Sequence, residues 1–163
     1  MKKLVVNALL CAFVIIPSNA MAESQNKTFS YNNETGQCVD RNGKLGYNPV
    51  SPAYLFSGKQ VVDNSEVYEG KNAECVDFAD FDFGKYVGLG YPKLLRWNMA
   101  GANFHNALFV FADIKEANLR GADLKNLEFG YATIHGTIDK YTKIPTAENS
   151  ECIEKNAELR CRR

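Results

Sequence analysis

Two histidines, His105 and His135, five cysteines and a scatter of carboxylates are the groups in this 163-residue chain with types suited to chemistry. A shared metal ion or an acid–base pair needs its members within bonding reach of one site. The histidines stand thirty positions apart and do not recur at the spacing that organises the segment around them, so the reading makes them exposed wall residues. Asp40 and Asn42 hint at a calcium loop, but Arg41 intrudes and the later carboxylates of such a loop are absent. The glycine-rich stretch GKYVGLG lacks the Lys-Ser or Lys-Thr ending of a phosphate-binding loop and reads as a turn. No serine, histidine and acid stand in a catalytic arrangement. The expectation is therefore no catalytic residue, no metal and no cofactor. An enzyme remains the alternative, with Asp40, Tyr47 and Asp63 of the N-terminal region converging in a pocket.

The cysteines have a different reading. Met1-Lys2-Lys3, the apolar run LVVNALLCAFVII and the small residues Ala20 and Ala22 form the pattern of a secretory signal peptide, residues 1–22, with cleavage after Ala22. Cys11 would leave with it. Cys38, Cys75, Cys152 and Cys161 form an even set suited to disulfides in an exported protein, in the periplasm or secreted. No pair has the short spacing of a structural zinc site. Four cysteines allow three pairings. A straight helix through Cys152 and Cys161 would separate them by about 13.5 Å, whereas a disulfide needs about 4.4–6.8 Å between Cα atoms. The favoured reading joins Cys152 to Cys161 through a turn and an interrupted helix, leaving Cys38 for Cys75.

Something must position these groups, and between residues 97 and 136 the chain declares what it is. It reads WNMAG ANFHN ALFVF ADIKE ANLRG ADLKN LEFGY ATIHG. The third residues of these words are Met99, Phe104, Phe109, Ile114, Leu119, Leu124, Phe129 and Ile134, all apolar. The first is alanine in six words of eight. Residues five apart scatter around an α-helix and alternate between the faces of a strand, so neither element gives this set one core. A chain that turns a corner once per word points every third residue to a common axis, and crowding at the corners demands small first residues.

This grammar resembles the pentapeptide-repeat family. The resemblance implies an all-β fold, a right-handed quadrilateral β-helix with about four words per coil. Residues twenty apart would then stack: Met99 on Leu119, Phe104 on Leu124, Phe109 on Phe129 and Ile114 on Ile134. Two further degenerate words are read in ECVDFADFDFG, one residue out of phase, with a loop over 84–93 resetting the register. The solenoid is expected over 76–140. Residues 23–75 form a small irregular N-terminal cap, with a hairpin turn at Asn42-Gly43 and a short strand at Val61-Val62. Residues 141–163 form a C-terminal cap, a short helix or turn with Asn149 or Ser150 at its start and Ile153 and Ala157 on one side.

Formal charge is zero, and the solenoid wall mixes Asp113, Glu116, Asp123 and Glu128 with Lys115, Arg120 and Lys125. Such a balance does not suggest nucleic acid or an anionic membrane as partner. It also disfavours one activity known in the family, imitation of DNA by an acidic rod that binds a topoisomerase. In ALFVF the outward positions Leu108, Val110 and Phe111 are apolar. They are expected to lie under a flanking segment, or else at a surface for another protein or a second copy. The leading expectation is a non-enzymatic exported structural or protein-binding module.

Overall fold

The computed structural model describes residues 28–62, 65–85, 92–109, 111–145 and 151–162. The expected signal peptide, Asp63, Val110, Asn149, Ser150 and most of the 84–93 loop lie outside these. The strands are β1 (Ser30–Asn32), β2 (Gln37–Val39), β3 (Gln60–Val62), β4 (Ser65–Glu69), β5 (Lys93–Leu95), β6 (Asp113–Asn118), β7 (Thr133–Thr137), β8 (Glu151–Lys155) and β9 (Glu158–Arg162). A short helix, α1 (Pro52–Leu55), and a 3-10 turn at Phe83–Lys85 complete the described elements.

Strands β4, β5, β6 and β7 pair in parallel, one per turn of a coil. Lys93 pairs with Asp113 and Ile114 with Ile134. The bridges Asn98 to Asn118, Asn103 to Asp123 and Leu108 to Glu128 carry the same twenty-residue step along other parts of the coil. Below them the step is longer: Asn72 meets Asn98, Asp77 meets Asn103 and Asp82 meets Leu108, at a separation of 26. A coil with six additional residues shifts a five-residue phase by one, which is why FADFDFG falls out of step with the later words. The parallel ladder begins at β4, upstream of residue 76.

The word is legible atom by atom. Every third-position residue from Met99 to Ile134 is at most 2% exposed. The first-position amides of Ala102, Ala107, Ala112, Ala122 and Ala132 donate to the carbonyls of Met99, Phe104, Phe109, Leu119 and Phe129, closing a turn around each corner. Asn and Asp at position two cap the bend from the other side. Oδ1 of Asn98, Asn103, Asn118 and Asp123 accepts from the amides of Ala100, His105, Arg120 and Lys125, two residues on. Position five turns the corner: Gly101, Asn106, Phe111, Glu116, Gly121, Asn126 and Tyr131 all have φ between 54° and 65°. Glycine and asparagine tolerate that left-handed region, and larger residues are strained in it. Buried ladders then lock the coils together, including Phe78 stacked on Phe104 at 4.8 Å and Phe83 on Phe109 at 3.8 Å.

The final coil departs from the step of twenty. After Ile114 and Ile134, Ala117 pairs with Gly136 and Asn118 with Thr137, a slip of one residue at the bulge. Leu119 N accordingly donates to Thr137 O, and Ile138, 6% exposed, joins the core. Asp139, whose place in its word is the third, is thereby spared the axis. The bridge from Asp123 to Lys143 restores the step of twenty.

Both caps are β-hairpins. In the N-terminal one, β1 pairs antiparallel with β2, Val39 bridges Leu45, and Asp40 Oδ1 holds the intervening turn by accepting from the amides of Asn42 and Lys44. The expected short strand at Val61-Val62 is β3, paired antiparallel with β4. The C-terminal cap corrects the expectation of a helix: β8 and β9 form an antiparallel hairpin turning at Asn156 and Ala157, both left-handed. β9 pairs antiparallel with β7 and closes the core with Leu159 and Cys161, while Ile153 remains 63% exposed. The alternation in ELRCR has the period of a strand, and two cysteines directly opposite across a hairpin meet without any helix. Cys38 bonds Cys75, with Cα atoms 5.7 Å apart, and Cys152 bonds Cys161, with Cα atoms 4.1 Å apart.

Candidate interaction surfaces

Among the described residues, the groups singled out for chemistry lie apart. Asp40 is committed to its own turn, and Tyr47 lies on the rim of a groove between the N-terminal hairpin and the solenoid. Asp63 lies outside the described residues. Among the described residues no three His, Cys, Asp or Glu side chains are grouped to hold a metal. His135 faces Glu158 of the C-terminal hairpin at 3.5 Å, and His105 follows the buried Phe104 on a different part of the coil. The wall charges neutralise one another in pairs such as Lys143–Asp123 at 2.6 Å, Lys115–Asp113 at 3.4 Å and Arg96–Glu116 at 3.4 Å. Exposed pairs of this kind contribute little to stability, typically about 0–1 kcal/mol.

The apolar patch is divided. Leu108 is half-buried, held by its backbone between Asp82 and Glu128 of the neighbouring coils. Phe111 stays 43% exposed, so the expected cover by a flanking segment is not met at this residue. It stacks instead on Tyr131, with ring centroids 5.3 Å apart and planes at 7°. Tyr131 is 81% exposed. Sequence reasoning passed over Tyr131, although the signal was present: it occupies position five of its word, twenty residues after Phe111.

The N-terminal hairpin is seated on two glycines in neighbouring coils. A Cβ on Gly101 would fall 2.4 Å from Cys38 Sγ, and a Cβ on Gly121 would fall within 2.5 Å of the Tyr31 ring. Tyr31 reaches across Gly121 to donate its hydroxyl to Asp139 Oδ2 at 2.5 Å, and the Tyr141 hydroxyl donates to Glu34 O. Burial first, and then the bond to Asp139, push the Tyr31 phenol above its ordinary range.

Residues 98–137 match the family model for pentapeptide repeats, in eight copies. Residues 98–137 are a run of pentapeptide repeats. The matched segment is the forty-residue frame displaced by one residue at each end, and it implies a β-helix serving as a structural or protein-binding module. No curated protein and no solved structure matches the chain. The exposed aromatic stack stands on corner positions of these pentapeptide repeats, and the groove under the hairpin lies where the N-terminal hairpin meets them.

Proposed function

We propose that this protein is an exported, non-enzymatic module in which a short, right-handed, four-sided β-helix holds Phe111 and Tyr131 rigidly on its outer wall for binding another protein. One observation carries the reading: two bulky aromatics, stacked on each other and exposed, occupy left-handed corners at φ 65° and 58°, where the other corners of the repeat carry glycine, asparagine or, at Glu116, a charged residue. Such a backbone costs on the order of 1–3 kcal/mol per residue and persists where the surroundings over-determine it, commonly at sites of function. Tyr131 is 81% exposed and Phe111 43%, so both rings keep a face open to solvent. Aromatic side chains are the anchors most enriched at binding interfaces. Export to the periplasm or beyond is supported by the signal-like N-terminus and by two disulfide-bonded pairs.

The test places a photo-crosslinking phenylalanine analogue at position 111, 131 or 125 of the protein in its producing cell. Positions 111 and 131 are expected to give discrete protein adducts, and position 125, on the exposed polar wall, none. An adduct of twice the protein's own mass identifies a second copy as partner. Equal labelling at all three positions, or none at any, overturns the proposal. Fractionation and the mass of the mature N-terminus, expected at Glu23, test export separately.

A further inference from the structure

The groove where the N-terminal hairpin meets the solenoid has a volume of 520 Å³ and is lined by Gln37, Leu45, Tyr47, Asp123, Tyr141 and Lys143. That lies within the usual range for small-ligand sites, about 300–1,000 Å³. Its walls are fixed from both sides. The Cys38–Cys75 disulfide ties the hairpin to the first coil, and the Tyr31–Asp139 bond ties it to the last. A ligand entering it would therefore lose less affinity to ordering the hairpin against the coils.

The chemistry of the lining restricts the ligand. The cation Lys143 and the anion Asp123 are paired at 2.6 Å, so a phosphate or a carboxylate approaching Lys143 would meet the like charge of Asp123 beside it. A wholly apolar ligand would strip water from the carboxylate and the ammonium without replacing it. What remains favourable is a neutral molecule bearing many hydroxyls and an apolar face: the hydroxyls find acceptors on Asp123, donors on Lys143 and both on Gln37, and the apolar face lies on an aromatic ring. Tyr47, 45% exposed at the rim, supplies the ring. Burial raises its phenol above the ordinary range, with Lys143 opposing and Asp123 and Asp77 adding to the shift, so the hydroxyl stays a neutral donor.

The geometry points to a saccharide-binding site in this groove, with Tyr47 as the stacking platform and the Asp123–Lys143 pair as the hydrogen-bonding floor. It is distinct from the aromatic stack at Phe111 and does not depend on it.

The experiment is an amide chemical-shift titration of the disulfide-bonded exported protein with cellobiose, maltose and N,N′-diacetylchitobiose, and with inorganic phosphate and succinate as charged probes. At least one neutral disaccharide is expected to shift Tyr47 and Lys143 saturably, with Kd of about 1 mM or tighter. Tyr47→Ala is expected to weaken that binding about tenfold or more without moving the thermal midpoint. Should Tyr47→Ala disturb the hairpin, Gln37→Ala provides the same readout from an exposed strand position, with a smaller loss. Three inert disaccharides, binding of the charged probes alone, or sugar shifts that survive both substitutions would overturn the assignment.

Discussion

The Tyr31 hydroxyl and the Asp139 carboxylate, 108 positions apart in the chain, meet at 2.5 Å and clasp the N-terminal hairpin to the last coil. Asp139 also accepts from the amides of Tyr141 and Gly121 and from the Thr142 hydroxyl. Burial acts to raise this carboxyl, but the four hydrogen bonds outweigh it and hold the pKa below its ordinary value. A depressed carboxyl contributes stability that is present above the unfolded pKa, about 3.9, and lost as pH falls through the folded one. Tyr31 has the opposite sign: its raised pKa contributes stability present below about pH 10 and lost as pH rises through the folded value. Tyr31→Phe should cost about 1.5 kcal/mol at pH 7, the lower end for a hydrogen bond to a charged group because the clasp borders solvent. The gap between variant and native protein should close as pH falls well below 4. Thermal melts across pH check this, and a gap independent of pH would show that Asp139 is not the partner.

Gly121 beneath that clasp tests the seating of the hairpin. Its φ is 64°, and a Cβ there would meet Tyr31 at 2.2 Å. Gly121→Ala combines backbone strain with overpacking and should cost about 2–4 kcal/mol. In a chain of this size that lowers the thermal midpoint by roughly 4–16 °C. Gly43→Ala, at φ 76° but with nothing within 4 Å, carries the strain alone and should cost less. Equal losses would mean that the hairpin does not rest on Gly121.

Much of this architecture was readable because a five-residue word states both its inward residue and its corner. Leu119 and Leu124 announce themselves by phase, and each is fully buried. The one-residue phase error at Phe78 and Phe83 was also visible, although its origin, a coil of twenty-six residues, needs the pairing of Asp77 with Asn103 to be seen. The C-terminal hairpin was misread because Ile153 and Ala157 fit a helical spacing as well as a short strand and its turn do. Asp139 was hidden for another reason. Its phase is inward, and only the bulge that pairs Ala117 with Gly136 turns it toward Tyr31. Contacts between the cap and the coils depend on tertiary seating, which no periodicity encodes.

The assignment of faces can be tested directly. Leu119→Asp or Leu124→Asp places a charge in the axial ladder, at a cost of several kcal/mol that consumes most of a typical domain's stability of about 5–15 kcal/mol. Both variants should fail to show a cooperative melt. Lys125→Asp, on the exposed wall, should stay within about 0.5 kcal/mol of the native protein. Comparable losses in all three would refute the inward and outward positions.

The two disulfides should contribute unequally. On the chain-entropy model, closing the 37-residue separation between Cys38 and Cys75 stabilises by about 4 kcal/mol, against about 2.5 kcal/mol for the nine residues between Cys152 and Cys161. Cys38→Ser with Cys75→Ser should therefore lower the denaturation midpoint more than Cys152→Ser with Cys161→Ser. Non-reducing peptide mapping of the oxidised protein should recover these two pairs. A cross-link from Cys38 or Cys75 to either late cysteine would place the caps differently along the solenoid.

The exposed stack makes the sharpest separation between a structural and a binding role. Phe111 and Tyr131 lie parallel at 5.3 Å, an arrangement that contributes about 0.5–1.5 kcal/mol beyond area burial. Phe111→Lys forfeits that contribution, whereas Phe111→Gly forfeits it and also relieves the left-handed strain at φ 65°. If the ring serves only the fold, Phe111→Lys should lose stability and neither position 111 nor position 131 should give a photo-adduct in the native protein. If it serves a partner, Phe111→Gly should melt at or above the native temperature yet lose the photo-adduct formed from position 131. A native protein that sediments as a dimer while Phe111→Lys sediments as a folded monomer would identify the partner as a second copy, through a self-complementary face. Retention of the adduct in both variants, at unchanged mass, would remove Phe111 from the interface and leave Tyr131 as its sole anchor.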